Sequence, residues 1–483
     1  MQTEDLVTLV EKIQVYQCEF QNVEVKAAQK GAPTRLYDTL SSFSNQDGGG
    51  TIVFGLDEKE GFAVVGVYDV QALQHNVAEQ CKQMQPPVRP LFSVAECVGG
   101  VVVSAEIPGV DIADRPVYYK GAGRVKGSYI RVAEADEPMS DYEIYSYDAY
   151  HRRMRDDLRI ADLATCAMLE EVLLAKYILN VKENKPNLAK LSDDEILSLM
   201  GIVKDGKPTL AGVMCFSKYP QASYPQLCIT AVVVPGTQMG QTGADGARFL
   251  SNKRIEGTIA QMLEQAVLFV NRNMTEKTII DAQGQRQDKP EYPVKAVREA
   301  VLNALMHRDY SIHTEGAPIR LVMYRDRLEI ANEGGLYGRI TLDSLGKIHA
   351  DTRNQTLTHI LEVQKTAENR YSGIPTIRYE MQQAGLAAPQ FESRRGRFVV
   401  TLYNDSCHIP DPLPVQQYSA QDITSAVVAF CSTPRTRAEL AAFLGKTQYY
   451  AMHHAVLPLV ADGRLAMTIP DKPKSKAQKF YKV

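Results

Sequence analysis

The run Thr34-Arg-Leu-Tyr-Asp-Thr-Leu-Ser-Ser-Phe-Ser-Asn-Gln-Asp-Gly-Gly-Gly-Thr-Ile-Val-Phe-Gly-Leu-Asp57 decides how the first third of this chain folds. Leu36, Leu40 and Phe43 stand at i, i+4 and i+7, so Thr34 to Ser44 reads as one amphipathic helix. Asn45 to Gly50 is a turn whose glycines allow positive φ and close backbone approach, and Thr51 to Asp57 reads as a strand. Further strands are expected over Val101–Ile107, ended by Pro108, and over Ser128–Val132. Helices and strands thus alternate to about residue 150.

The chain has 483 residues, which at about 150 per domain suggests roughly three domains. With 45% hydrophobic and 23% charged residues, every part can bury a core, and disorder along the whole chain is excluded. Lys and Arg number 54 against 57 acids, a net charge of −3, so any surface for phosphates must be local. Apolar runs such as Leu227–Val234 are far shorter than a membrane span, and the acidic, amphipathic start MQTEDLVTLVEK shows no secretory signal. A cytoplasmic protein without a membrane partner is expected. The eight cysteines are scattered with no CxxC pair, so buried reduced thiols are expected in place of a zinc ribbon or a redox dithiol.

Residues 151–205 read as a helical connector, from the stripe Leu163, Met168, Leu169, Val172 and Leu173. A strand pair is expected near Leu210–Phe216 and Leu227–Val234, then a glycine-rich stretch from Gly236 to Gly246 and a long helix from about Gly257 to Asn271. From Pro293 to Leu402 the pattern is helix, strand pair, loop, helix and strand, an α+β layer. Pro410-Asp-Pro-Leu-Pro414 marks a linker at 406–418. Beyond it, at 419–483, three helices (Ser425–Phe430, Arg437–Leu444, Thr447–Val460) and two short strands describe a winged helix-turn-helix. Pro458 is an irregularity within the third helix.

Three groups of residues point to chemistry. In Val23-Glu24-Val25-Lys26 the strand period sends Glu24 and Lys26 to one face. Glu19, Glu24 and Asp57 could converge on a divalent metal through oxygen ligands, or Glu24 could pair with Lys26 or another base. Glu299, Asn303 and His307 stand at i, i+4 and i+8 along one helical face, whereas Val301, Leu302 and Leu305 serve the core. A Glu and an Asn one turn apart can orient water and hold a Mg²⁺ that bridges triphosphate oxygens. From Pro434 to Val483 there are nine Lys and Arg against three acids, so a near-neutral chain ends in a basic domain. Placing its third helix in the major groove brings Lys446, Gln448, Tyr449 and His453, with Lys474 and Lys476 of the wing, to DNA.

The ordered features Glu24-Val-Lys26, Ser44–Gly50, Val53-Phe-Gly55-Leu-Asp57, Val65-Gly66, Ile107-Pro108 and Tyr129-Ile-Arg131 resemble the Schlafen-type AlbA domain over roughly residues 15 to 135. The resemblance implies a nucleic-acid-binding domain at 1–150, with Lys26, Lys120, Arg124, Lys126 and Arg131 at phosphates. Some animal relatives cleave RNA with three acids, which Glu19, Glu24 and Asp57 match in type and approximate position. Leu328-Glu-Ile-Ala-Asn332-Glu-Gly334-Gly335-Leu336, Thr352-Arg353-Asn354, Glu368–Gly373 and Gly385–Phe391 follow in the order of the divergent GHKL-type ATPase domain, here 206–405. That resemblance implies ATP and Mg as cofactors, with Glu299 catalytic, Asn303 at the Mg, and Asn332, Gly334, Gly335 and Gly373 around the nucleotide. Asn332 stands where an Asp usually reads the adenine amino group, and Tyr371-Ser-Gly373-Ile-Pro375 departs from the usual Gly-Thr-Gly-Ile. The fold class implied is α+β multidomain: an AlbA-like α/β domain, a GHKL-like α/β sandwich and a C-terminal winged helix. The function implied is an ATP-responsive nucleic-acid-binding regulator of transcription, acting on DNA more than RNA and as a homodimer. A metal-dependent nuclease and a scaffold with a degenerate nucleotide pocket are the alternatives.

Overall fold

The structure, a computed structural model, describes residues 1–243, 245–280, 286–348, 351–367, 372–394, 396–404, 427–444, 451–469 and 478–482. The chain forms two compact units, residues 1–406 and 407–483.

The first unit begins with a four-stranded sheet of β1 (Val23–Lys26), β2 (Gly50–Phe54), β3 (Leu91–Cys97) and β4 (Gly100–Ile107), in the order β1-β2-β4-β3 with β1 parallel to β2. Alternation along the strands sorts side chains to two cores. Val23, Val25, Val53 and Val102 join Leu6, Val10 and Ile13 of helix α1 (Thr3–Tyr16) on one face. Ile52, Phe54, Val103 and Ala105 join Leu40 and Phe43 of α2 (Tyr37–Ser44) and Leu73 and Val77 of α3 (Val70–Lys82) on the other. The sheet is therefore covered on both sides.

The turn after α2 holds this arrangement. Asn45 Nδ2 donates to the carbonyls of Val117 (2.9 Å) and Tyr129 (3.1 Å), and its Oδ1 accepts from the Val117 N–H (2.7 Å). Gly49 has φ +70°, and a Cβ there would lie 2.1 Å from the Ile107 carbonyl oxygen, so only glycine fits. A hairpin of β5 (Tyr129–Val132) and β6 (Ala135–Pro138) follows, then α4 (Asp141–His151), started by a Ser140–Glu143 capping box.

A second, six-stranded sheet consists of β7 (Ile229–Val233), β8 (Ser251–Ile255), β9 (Ile319–Met323), β10 (Arg327–Glu333), β11 (Gln390–Arg394) and β12 (Arg397–Tyr403), in the order β8-β7-β9-β10-β12-β11. Residues 151–205, expected as a connector, contribute Ala161, Tyr177, Ile178, Val181 and Ile196 to the same buried cluster as this sheet, partly through α5 (Glu171–Asn184) and α6 (Asp193–Leu199). Leu210–Phe216 was expected as a strand and is instead helix α7. All seven residues are buried and Thr209 caps the Gly212 N–H, which explains the difference: a short run that is apolar on every side carries no period to tell helix from strand. Packing against the sheet are α8 (Ile259–Asn273), α9 (Val294–His307), α10 (Gln355–Val363) and α11 (Gly373–Gln383). No disulfide joins the seven described cysteines.

In the second unit the described residues include helix α12 (Arg437–Leu444), a π-helical turn at Ala451–Val456 and α13 (Leu457–Ala461). Pro458 falls in the first turn of α13, where its missing N–H has no intrahelical partner to lose, and the widened turn before it absorbs the ring. A three-stranded sheet pairs Lys479–Lys482 with Arg435–Thr436 and with Leu465–Met467, one strand more than the sequence suggested. The proline-rich linker lies outside the described residues. Among the described residues, no helix is long and apolar enough to cross a membrane.

Candidate functional site

Two groups of polar side chains stand out, one in each half of the first unit. In the N-terminal half, Glu24 (β1) and Arg131 (β5) meet on the sheet face that carries α2. The Arg131 guanidinium is buried, with Glu24 Oε2 and Asp136 Oδ1 each at 2.9 Å and Glu19 Oε2 at 3.5 Å, and it lies 5.2 Å from the centre of the Phe43 ring. Lys26 pairs with Glu24 from the same strand face. The hydroxyls of Thr39 and Ser42 fill the remaining sites on Asp136.

This arrangement corrects two expectations. Arg131 is enclosed by carboxylates and is not a phosphate contact. Glu19, Glu24 and Asp57 do not gather: Asp57 caps a turn by accepting from the Lys59 N–H (2.9 Å), and the third acid is Asp136. Among the described residues, no three His, Cys, Asp or Glu are placed to hold a metal ion. A buried guanidinium already sits between the acids, so a divalent cation would have to displace it. Of the other expected phosphate contacts, Lys120 and Lys126 are exposed, whereas Arg124 pairs with Asp148 (2.6 Å).

Burial, and behind it the Glu24 carboxylate, push the Glu19 carboxyl from an ordinary 4.5 up to about 7, against the Val25 N–H, Lys26 and Arg131. Between those values the folded chain holds a proton that the unfolded chain releases. The Glu19 contribution is thus fully present below about pH 4.5 and is lost as pH rises through about 7. Urea unfolding between about pH 5 and pH 8 is expected to show stability falling with pH in the parent and a flatter profile in Glu19→Gln. Equal slopes would assign the titration to another group.

The second group lines a cavity of about 150 Å³ between α9, β10 and the start of α11. Glu299, Asn303 and His307 of α9, Asn332 of β10, the following Gly334 and Gly335, and Gly373 all line it, with Met306, Leu336 and Phe398 among the apolar walls. The polar stripe expected on α9 therefore faces one cavity. Asn303 Nδ2 is buried without a hydrogen-bond partner among the described residues. Gly373 is the first residue of α11, and a Cβ there would lie 2.8 Å from that nitrogen. Ser372 does not cap α11 with its side chain, and the start of this helix stands beside Asn303.

Asn332 is buried and gives its amide nitrogen to the Glu333 carbonyl (3.1 Å). Gly334 has φ +96°, and its N–H donates to the Gly396 carbonyl (2.6 Å). Burial, then the Arg353 guanidinium, push His307 down to about 4, so its imidazole is neutral at physiological pH. Pro375 sits in the first turn of α11, where proline is tolerated. Sequence reasoning gave no role to Arg353 or Asp309, which form an ion pair of 2.7 Å at this wall. The runs His307-Arg-Asp309-Tyr and Thr352-Arg-Asn354 were visible, but nothing in their spacing linked them. Lys446, Gln448, Tyr449, Lys474 and Lys476 lie outside the described residues, as does the side chain of His453.

Comparison with known proteins agrees with two of the resemblances. Residues 19–140 match the family described as "Schlafen, AlbA_2", and residues 316–402 match the family described as "Putative ATP-dependent DNA helicase recG C-terminal". The second match begins after α9, so Glu299 and Asn303 precede it. No curated protein matches the chain. Among solved structures, a protein from Corynebacterium diphtheriae is 20% identical, with 95% of this chain and 93% of that one covered and a TM-score of 0.40. The N-terminal domain of a "Putative ATP-dependent DNA Helicase RecG-related Protein" from Nitrosomonas europaea is 23% identical over 28% of this chain and 93% of that one, with a TM-score of 0.23.

Proposed function

From a chain that carries a Schlafen AlbA_2 segment and a segment of the RecG C-terminal type, we propose an ATP-responsive nucleic-acid-binding regulator, acting on transcription in the cytoplasm as a homodimer. The observation that carries this reading is the buried side-chain nitrogen of Asn303, without a partner among the described residues, against the start of α11, which the Ser372 side chain does not cap. An unsatisfied buried N–H donor costs about 1–3 kcal/mol, which an acceptor such as a phosphate oxygen would relieve. The residues fit ATP with Mg²⁺. The base would enter the cavity, and the phosphates would lie at its mouth, where the N–H groups at the start of α11 favour anions. The Asn303 oxygen would hold Mg²⁺, and Glu299, one helical turn earlier, would orient a water molecule. Asn332, whose amide nitrogen goes to the Glu333 carbonyl, would accept from the base amino group through its oxygen. Bound nucleotide would supply a charged, metal-linked phosphate whose loss by hydrolysis resets the site.

For the tail we read a winged helix that binds DNA, supported by α12, the helical residues 451–461, the three-stranded sheet and the nine Lys and Arg against three acids. The nuclease reading lacks its site: Arg131 holds Glu24 and Glu19, and Asp57 caps a turn apart from them. Fluorescence anisotropy of the full chain with a labelled duplex checks the tail. Lys472→Glu combined with Lys474→Glu and Lys476→Glu is expected to weaken binding at least tenfold and to flatten the salt dependence, by about 0.9 in slope per lost phosphate contact. Parent-like binding would remove the wing from the interface.

A further inference from the structure

Asp309 lies just past α9 and is 2% exposed. Its Oδ2 accepts from the Tyr142 hydroxyl (2.8 Å) and pairs with Arg353 Nη1 (2.7 Å), and its Oδ1 accepts from the Ser311 N–H (2.8 Å). Burial alone would raise the Asp309 carboxyl. Arg353, the Ser311 N–H and the Tyr142 hydroxyl outweigh it and hold the group below its ordinary value, hence charged. One buried carboxylate oxygen is thereby shared between a tyrosine and an arginine from different parts of the chain.

Arg353 is itself part of the cavity wall. Its guanidinium stands 5.0 Å from the centre of the Tyr337 ring, its Nη2 makes only a long contact to the Gly335 carbonyl (3.4 Å), and its Nε is buried without a partner among the described residues. A Cβ on Gly334 would lie 2.9 Å from Nη1, so the glycine admits the cation to the wall. A guanidinium has five donors, and here one buried donor has no partner among the described residues. Its natural complement is an anionic oxygen, held by a charge-assisted bond.

Tyr142 belongs to α4, the helix between the two halves of the unit. Its ring lies on Gly396, where a Cβ would come within 2.3 Å of Cε1, and the Gly396 carbonyl receives the Gly334 N–H. Two turns later, Tyr150 donates to Asp351 Oδ2 (2.9 Å) and meets Tyr337 edge-on at 5.3 Å, so α4 touches the wall twice more. The same helix is tied to the N-terminal half: Asp148 pairs with Arg124 (2.6 Å), and His151 Nδ1 lies 2.5 Å from the Ala113 carbonyl oxygen. Arg339 Nε reaches Asp111 Oδ2 (3.0 Å) alongside.

We propose that Arg353 receives a phosphate oxygen of the nucleotide in this cavity, and that Tyr142, Asp309 and Arg353 relay its occupancy through α4 to the AlbA-type half. The inference rests on the nucleotide reading above and adds a contact and a route to it. A phosphate that draws charge from Arg353 leaves Asp309 to Tyr142, so the ligand interacts differently with two settings of α4, as a shift between states requires. By linkage, ATP must change nucleic-acid affinity by the same factor by which nucleic acid changes ATP affinity.

The test uses the full chain, ATP with Mg²⁺ followed by calorimetry, and a mixed-sequence DNA duplex followed by anisotropy with and without saturating nucleotide. In the parent, each ligand is expected to alter the other's affinity by about 5- to 150-fold. Tyr142→Phe removes one hydroxyl and is expected to keep ATP affinity while bringing that factor close to one. Arg353→Gln alone would strand a buried carboxylate, so it is combined with Asp309→Asn; the pair is expected to weaken ATP at least tenfold in a folded chain. A parent-like coupling factor in Tyr142→Phe, a parent in which the two ligands bind independently, or parent-like ATP affinity in the double variant would overturn the relay and leave nucleotide binding intact. A parent that binds no ATP overturns the functional reading itself, and the relay with it.

Discussion

Arg131→Met is expected to destabilise the N-terminal sheet domain by about 3–5 kcal/mol, the range for removing one partner of a buried ion pair. The methionine fills much of the same space, so the loss is electrostatic. Glu24 and Asp136, each 2.9 Å from the guanidinium, would remain as buried charges with Glu19 close by. Urea unfolding followed by tyrosine fluorescence should show a transition at lower denaturant for this part of the chain. Adding Glu24→Gln and Asp136→Asn should recover most of the loss, because the charges then leave together. A variant as stable as its parent would mean that solvent screens the cluster, contrary to its burial.

The second large effect is expected at Gly373. A Cβ there would stand 2.8 Å from Asn303 Nδ2 and 3.2 Å from its Oδ1, so Gly373→Val drives a branched side chain into the amide that would hold Mg²⁺. The first turn of α11 must then withdraw from Asn303, and the phosphate contacts with it. ATP affinity is expected to fall on the order of a hundredfold, about 2.8 kcal/mol. The melting temperature should change little by comparison, since valine is tolerated at a helix start. Calorimetry of the variant against the parent checks this, and equal affinity would place the phosphates elsewhere.

What the sequence could reveal follows from where local pattern and tertiary structure agree. Thr34 to Asp57 was readable because helix period, glycine turn and strand alternation succeed one another within one short run, and Tyr37–Ser44 and Gly50–Phe54 lie inside it. The face shared by Glu299 and Asn303 was readable from helical spacing alone. Leu210–Phe216 was not, because burial on all sides erases the period.

The acid cluster shows a different limit. Charge and strand period put Glu24 and Lys26 on one face, but the choice of partners was made by the register of a hairpin, which sets Arg131 directly opposite Asp136. Two residues, Ala133 and Glu134, separate those strands, a clue that a closer reading of the turn could have used. The contact of Tyr142 with Asp309, 167 positions apart, has no local signature at all. Such pairs arise from how α4 packs on the wall of the second sheet, and a sequence read segment by segment does not contain them.

The cavity between α9 and α11 is expected to bind ATP with Mg²⁺ through Asn303. Titration of ATP into the full chain by isothermal calorimetry, with and without Mg²⁺, tests it most directly, with Asn303→Ala alongside. Saturable binding at one site per chain, dependent on Mg²⁺ and weakened at least tenfold in Asn303→Ala, is the expected result. No binding by the parent, or equal binding by parent and variant, would contradict it.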